Sequence, residues 1–134
     1  MNIKNKIQIK VKRSKRSVFL RSDFKDIAGY EQVGRTLRLM VASGELIKIG
    51  YGLYVRARLN RISQKPMPDN PGGADGVLIE AMDRLGKDYK FDDLSISNMQ
   101  GVSTQIPAKI NVTPTSSLFT RKIEIGTQGI NVAR

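Results

Sequence analysis

Residues 30–55 read YEQVGRTLRLMVASGELIKIGYGLYV, and two different periodicities follow one another within them. In the first part Val33, Leu37, Met40 and Val41 recur at i, i+4, i+7 and i+8, which lines up one apolar stripe on a helix. Gln32, Arg35, Thr36, Arg38 and Leu39 fall off that stripe. The pattern predicts a helix over 30–43, stopped by Gly44, which enters the left-handed region without a Cβ clash. In the second part Leu46, Ile47, Ile49, Leu53, Tyr54 and Val55 flank Gly50-Tyr51-Gly52, the pattern of a β-hairpin with a glycine-bearing turn.

Toward the N-terminus, Ser17-Val18-Phe19-Leu20 reads as a short extended piece. Ser22 is placed to cap a helix over 23–28, with Asp23 in the first turn favoured by the helix dipole and Gly29 ending it. The opening segment admits two readings. Ile3, Ile7 and Val11 recur as on a helix face, whereas Ile7, Ile9 and Val11 alternate with Gln8, Lys10 and Lys12 as in a strand. Lys, Asn and Gln between the apolar positions favour helix, and helix is the reading adopted. The order is then helix, short strand, helix, turn, helix, hairpin. That is a winged helix-turn-helix over residues 1–60.

Toward the C-terminus, residues 66–76 read PMPDNPGGADG, with three Pro and three Gly, so 61–76 reads as a Pro/Gly-rich linker. Beyond it, residues 77–134 read as a small α+β unit, which makes the whole chain α+β. Val77, Leu78, Ala81, Met82 and Leu85 form an amphipathic stripe predicting a helix over 75–86. Residues 89–91 read as extended, and Asp92 or Asp93 as the cap of a short helix through 99. Residues 109–113, 121–125 and 130–132 alternate as strands, the last two joined by the Gly126-Thr127-Gln128-Gly129 turn.

The 134 residues carry 23 Lys plus Arg against 12 Asp plus Glu, a net charge of +11, with no His and no Cys. Without those two residue types there is no disulfide framework, no ordinary zinc site and no Cys or His catalysis. Nor is there a phosphate-binding Gly-Lys-Ser/Thr loop, and Gly50-Tyr51-Gly52 lacks the third glycine of a dinucleotide fingerprint. The chain reads as a non-enzyme without metal or cofactor. Its longest apolar run, Leu39-Met40-Val41-Ala42, is far short of a membrane span, so a cytoplasmic protein with no membrane partner is expected. The charge is not evenly spread. Residues 1–65 hold 16 basic and 4 acidic side chains, net +12, and residues 66–134 hold 7 and 8, net −1. Such asymmetry suits displacement of counterions from phosphates and points to nucleic acid.

Placed on this scaffold, the polar face of the helix over 30–43 is the expected reader of double-stranded DNA. Arg35 and Arg38 suit guanine edges or phosphates, Gln32 suits adenine, and Thr36 suits a base edge or a thymine methyl. The bland alternative for the two arginines is a surface salt bridge, with Glu31 as the nearest acid. Lys48, Tyr51, Arg56 and Arg58 sit on the hairpin, where a wing meets backbone or minor groove. Lys10, Lys12, Arg13, Lys15, Arg16 and Arg21 are expected phosphate contacts, against the plainer reading of a solvated helix end. Ser103, Thr104 and Gln105 form a polar cluster, read either as a phosphate or partner contact or as a loop satisfying its own buried amides.

Several of these segments resemble a known family. Ser17 through Phe24 (SVFLRSDF), Val33 through Leu39 (VGRTLRL) and Gly44 through Tyr54 (GELIKIGYGLY) resemble the winged-helix domain of AbiEi-like antitoxins, the autoregulators of abortive-infection, type IV toxin-antitoxin operons. Gly101 through Lys109 (GVSTQIPAK) and the RKIEIG stretch over 121–126 are similar to the same group, so the resemblance covers most of the chain. It implies a sequence-specific transcriptional repressor of its own operon, with a cognate toxin and a second copy of the chain as further partners. The segment after the linker is shorter than the toxin-neutralising domain usual in that group. Alternatives from other classes are an antitoxin acting through protein binding by its second half, and an RNA-binding module, the latter weakened by only 4 Phe and 4 Tyr.

Overall fold

The computed structural model describes residues 2–91, 112–126 and 128–132. The expected helix over 92–99, the 103–105 cluster and the start of the strand expected at 109–113 lie outside them. The protein is a small mixed α+β structure, with three α-helices and short antiparallel sheets among the described residues.

The first helix, α1 (Ile3–Arg13), forms where two patterns compete. Asn2 caps it, its side-chain oxygen accepting from Asn5 N at 2.8 Å, and Lys10, Lys12 and Arg13 in its last turn suit the dipole. Ile7 and Val11 are buried, the i, i+4 pair that a helix requires. Strand β1 (Val18–Leu20) follows. The helix expected over 23–28 is instead a single 3-10 turn, Arg21–Phe24. Its N-cap position is Leu20, whose N–H donates to the carboxylate of Asp23 inside the turn at 2.8 Å, and Ser22, expected as the cap, lies within the turn. With Gly29 so close, too few residues remain to offset the nucleation of an α-helix.

Helix α2 (Tyr30–Ala42) buries Val33, Gly34, Leu37 and Met40, close to the expected stripe, and Gly44 beyond it has φ +83°. The hairpin then forms from β2 (Leu46–Gly50) and β3 (Leu53–Leu59), closed by Tyr51 and Gly52, the latter at φ +68°. Strand β3 is central. Its first half pairs antiparallel with β2 and with β1, Val18 opposite Val55 and Leu20 opposite Leu53. Its second half pairs with β4 (Pro66–Pro68).

The stretch read as a linker over 61–76 is therefore largely built into the fold. Residues 60–65 close the β3–β4 hairpin: Asn60 N donates to Lys65 O at 2.9 Å, and Asn60 Oδ1 accepts from Ile62 N at 2.8 Å and Ser63 N at 3.1 Å. An edge strand tolerates the two prolines because a residue there can turn its nitrogen away from the ladder. Helix α3 (Gly73–Leu85) begins two residues before the expected start and ends at Gly86, φ +68°. Two further ribbons complete the described chain, β5 (Tyr89–Phe91) with β6 (Val112–Pro114), and β7 (Ile123–Ile125) with β8 (Gln128–Ile130).

Alternation along the central sheet divides the core between its two faces. Phe19, Leu46 and Tyr54 pack with Ile7, Val11, Phe24, Val33, Leu37 and Met40 of the N-terminal helical layer. Val18, Ile49, Leu53 and Val55 pack on the opposite face with Val77, Leu78, Ala81 and Met82 of α3 and with Ile123, Ile125 and Ile130. The core thus crosses the boundary drawn from composition. Polar ties reinforce it: the Glu80 carboxylate accepts from Ser17 N at 2.8 Å, Ser17 Oγ at 2.9 Å and Val18 N. Arg84 of α3 pairs with Asp23, both about one-fifth exposed.

Candidate nucleic-acid interface

Burying the Val33, Leu37 and Met40 stripe against the sheet leaves the opposite face of α2 in solvent. Gln32, Arg35, Arg38 and Leu39 are all exposed there. Glu31 lies one turn before Arg35, yet no ion pair joins it to Arg35 or Arg38, and neither arginine has a carboxylate partner among the described residues. Thr36 differs from its neighbours. It is half-buried, and its hydroxyl donates back to Gln32 O at 2.9 Å, which commits its proton to the helix.

The hairpin tip meets the start of α2. Tyr30 and Tyr51, 63% and 76% exposed, bring their hydroxyls to 3.4 Å. That hydrogen bond holds the Tyr30 hydroxyl above the ordinary tyrosine range, with the Arg21 guanidinium working against it. Lys48 is exposed on the same face of β2 as buried Leu46, and so on the side of the hairpin that faces α2. Tyr54, opposite Lys48 in the register, is pushed above the ordinary tyrosine range by burial, while the positive charges of Arg21 and Arg38 pull it down.

Arg21, expected as a phosphate contact, is engaged within the fold. Its guanidinium carbon lies 3.5 Å from the Tyr30 ring centroid, and its Nε and Nη2 donate to Tyr30 O at 3.1 and 2.5 Å. One helical turn on, a Cβ at Gly34 would stand 2.1 Å from Arg21 Nη2. Gly34 costs the helix roughly 1 kcal/mol relative to Ala, and the close passage of Arg21 is the reason a glycine fits there. The sequence signal was present, a lone glycine inside a strong helical pattern, but nothing local identifies the side chain that crosses it.

Arg56 is used inside the molecule. It donates to Val11 O at 2.9 Å and Ser14 O at 3.1 Å, satisfying carbonyls at the end of α1, and pairs with Asp69 at 3.1 Å. Arg58 approaches the same carboxylate at 3.8 Å and sits five residues beyond Leu53, about 17 Å along the strand from the hairpin tip. Arg58 thus lies away from Lys48 and Tyr51, while Arg56, two residues along β3 from Tyr54, the partner of Lys48, is engaged within the fold.

The basic run after residue 9 is divided by helix geometry. Lys6, Lys10, Arg13 and Arg16 line an open groove of about 830 Å³ with Phe19, Asp23 and Ile27. Lys10 pairs there with Asp26 at 3.1 Å, holding that carboxyl below its ordinary range. Lys12 lies on the other side of α1, near Glu45 and Asp69, and Lys15 is exposed with no ion pair among the described residues.

A family model described as a family of unknown function (DUF6088) matches residues 2–134. The chain belongs to that family. No curated protein and no solved structure matches it. Among the described residues no helix is long and apolar enough to cross a membrane.

Proposed function

We propose that the protein is a winged helix-turn-helix regulator that binds double-stranded DNA sequence-specifically and represses its own operon, with an origin shared with AbiEi-like antitoxins. On this reading α2 is the recognition helix, the β2–β3 hairpin is the wing, and the protein works in the cytoplasm by binding, without catalysis. The observation that carries the reading is the pair Arg35 and Arg38, exposed on the outer face of α2 without carboxylate partners among the described residues. Two neighbouring guanidinium forks left free beside a hairpin suit guanine edges and phosphates. The order of elements and the pairing of β1 with β3 support the same reading, as does the +12 charge of residues 1–65. A dimer on an inverted repeat would place half-sites roughly 10 bp apart.

Footprinting on the DNA upstream of the coding sequence, with fluorescence anisotropy on the protected duplex, tests this. Arg35→Ala and Arg38→Ala should each lose about 1–3 kcal/mol on the protected site and relax base preference, whereas Lys48→Ala should weaken all duplexes alike. Equal affinity of the wild-type protein for random duplex overturns the reading.

A further inference from the structure

Resting on that DNA-binding reading, we propose that Arg121 and Lys122, from the half of the chain with no excess positive charge, supply the cations of the wing. The hairpin tip carries none of its own: Gly50, Tyr51 and Gly52 are uncharged. On β3 the first cation, Arg56, is committed to carbonyls of residues 11 and 14 and to Asp69, which leaves Lys48 as the free cation of the two strands near the tip; Arg21, whose backbone N–H donates to Gly52 O at 3.0 Å, has its guanidinium stacked on Tyr30. A wing that meets phosphates or a minor groove needs positive charge where it touches.

The fold brings that charge from elsewhere in the sequence. An Nη of Arg121 donates to Tyr51 O at 2.5 Å. A Cβ placed on Gly50 would stand 2.8 Å from Lys122 O, so the 121–122 backbone lies directly against the strand end, and the glycine permits the approach. Both side chains are exposed, and neither has a carboxylate partner among the described residues, Glu124 included.

The segment is held in place. Asn131 Nδ2 donates to Phe119 O at 3.0 Å and Arg121 O at 2.9 Å, and Ile123 is fully buried in the core behind it. Arg121 retains further N–H donors beyond the one given to Tyr51. The contacts run on from Arg121 to Tyr51, from Tyr51 to Tyr30 and from Tyr30 to Arg21, so these cations are tied to the start of α2. Arg121 and Lys122 then neutralise phosphates flanking the groove that α2 reads, and carry no base preference themselves.

The test is anisotropy over a KCl series with the full chain, on the footprinted duplex and on a random one. Arg121→Gln keeps an amide donor for Tyr51 O while removing the charge. Lys122→Gln removes a charge whose side chain makes no hydrogen bond among the described residues. Lys90→Gln, on β5, is the charge-matched control. Arg121→Gln and Lys122→Gln should each lower the magnitude of the negative slope of log K against log salt by about 0.9, on both duplexes, with site preference kept. Lys90→Gln should leave the slope unchanged. Wild-type slopes in both wing variants, or an equal drop in the Lys90 variant, overturn the proposal; should Arg121→Gln misfold, Lys122→Gln alone decides it. Loss of site preference in the wild-type protein is a different result and overturns the DNA reading itself.

Discussion

Replacing Gly34 by Ala sets two effects of known sign against each other. An alanine inside a helix is worth about 1 kcal/mol over glycine, so α2 alone should gain from the change. The new methyl, however, would stand 2.1 Å from Arg21 Nη2 and 2.3 Å from its Cζ, so the guanidinium must swing away. Leaving forfeits its stack on Tyr30, about 0.5–1 kcal/mol for an exposed cation–π contact. It also forfeits the donation to Tyr30 O, about 1 kcal/mol. Gly34→Ala should therefore be slightly destabilising in the wild-type chain, by about 0.5–1 kcal/mol, because the loss of Arg21 outweighs the helix gain. In an Arg21→Ala background nothing obstructs the methyl, and the same substitution should stabilise by about 1 kcal/mol. The double-mutant cycle, read from urea midpoints at constant m, should give a coupling of about 1.5–2 kcal/mol. A Gly34→Ala effect that is the same in both backgrounds, within about 0.5 kcal/mol, refutes the account of why glycine stands there.

Glu80→Ala should destabilise by about 2–4 kcal/mol in the same assay, because it strands the Ser17 and Val18 amides that the carboxylate receives; loss within experimental error would show that water replaces it. Gly50→Ala should cost about 1–3 kcal/mol by pressing a methyl on Lys122 O, a backbone atom that cannot rotate aside; it should also lower DNA affinity if the tip contact matters to binding. On the acid side, Glu45 is held below its ordinary range chiefly by the Ser43 hydroxyl. Its stabilising contribution is present above the unfolded-state pKa and is lost as pH falls through the lowered folded value, a loss that Ser43→Ala should reduce in pH-dependent urea titrations.

Elements with strong local signals were legible in the sequence. Helix α2 and the β2–β3 hairpin follow from spacing and glycine position alone, and α3 is displaced from its expected start by only two residues. The last strand falls at 128–130 rather than 130–132, with Gln128 and Gly129 in the ladder and not in the turn. Two other segments read differently in three dimensions, each for a physical reason. Residues 23–28 carry helical caps and charge, but a helix that short is stable only with packing that the 3-10 turn already supplies through Phe24. Residues 66–68 look like linker because proline excludes a central strand, and whether an edge is available to accept them depends on β3 extending past β2, a tertiary fact.

The candidate site divides in the same way. Which residues on α2 face outward was readable, since burial of one stripe fixes the opposite face, and Arg35 and Arg38 stand where that argument puts them. Which cations are free was not readable, because charge is counted along the chain while ion pairs form across it. Arg21, Arg56 and Lys10 are each held by groups distant in sequence, including Tyr30 O, Val11 O and Asp26. Arg121 reaches the hairpin tip across 70 residues, which no composition window registers. Periodicity determined α2, α3 and the β2–β3 hairpin, since these follow from neighbours a few residues apart, and composition determined the sign and location of the net charge. The tertiary structure alone decided which charges remain available to a partner and that the second half of the chain completes the core on one face of the central sheet, because those depend on contacts that only the packed chain can make.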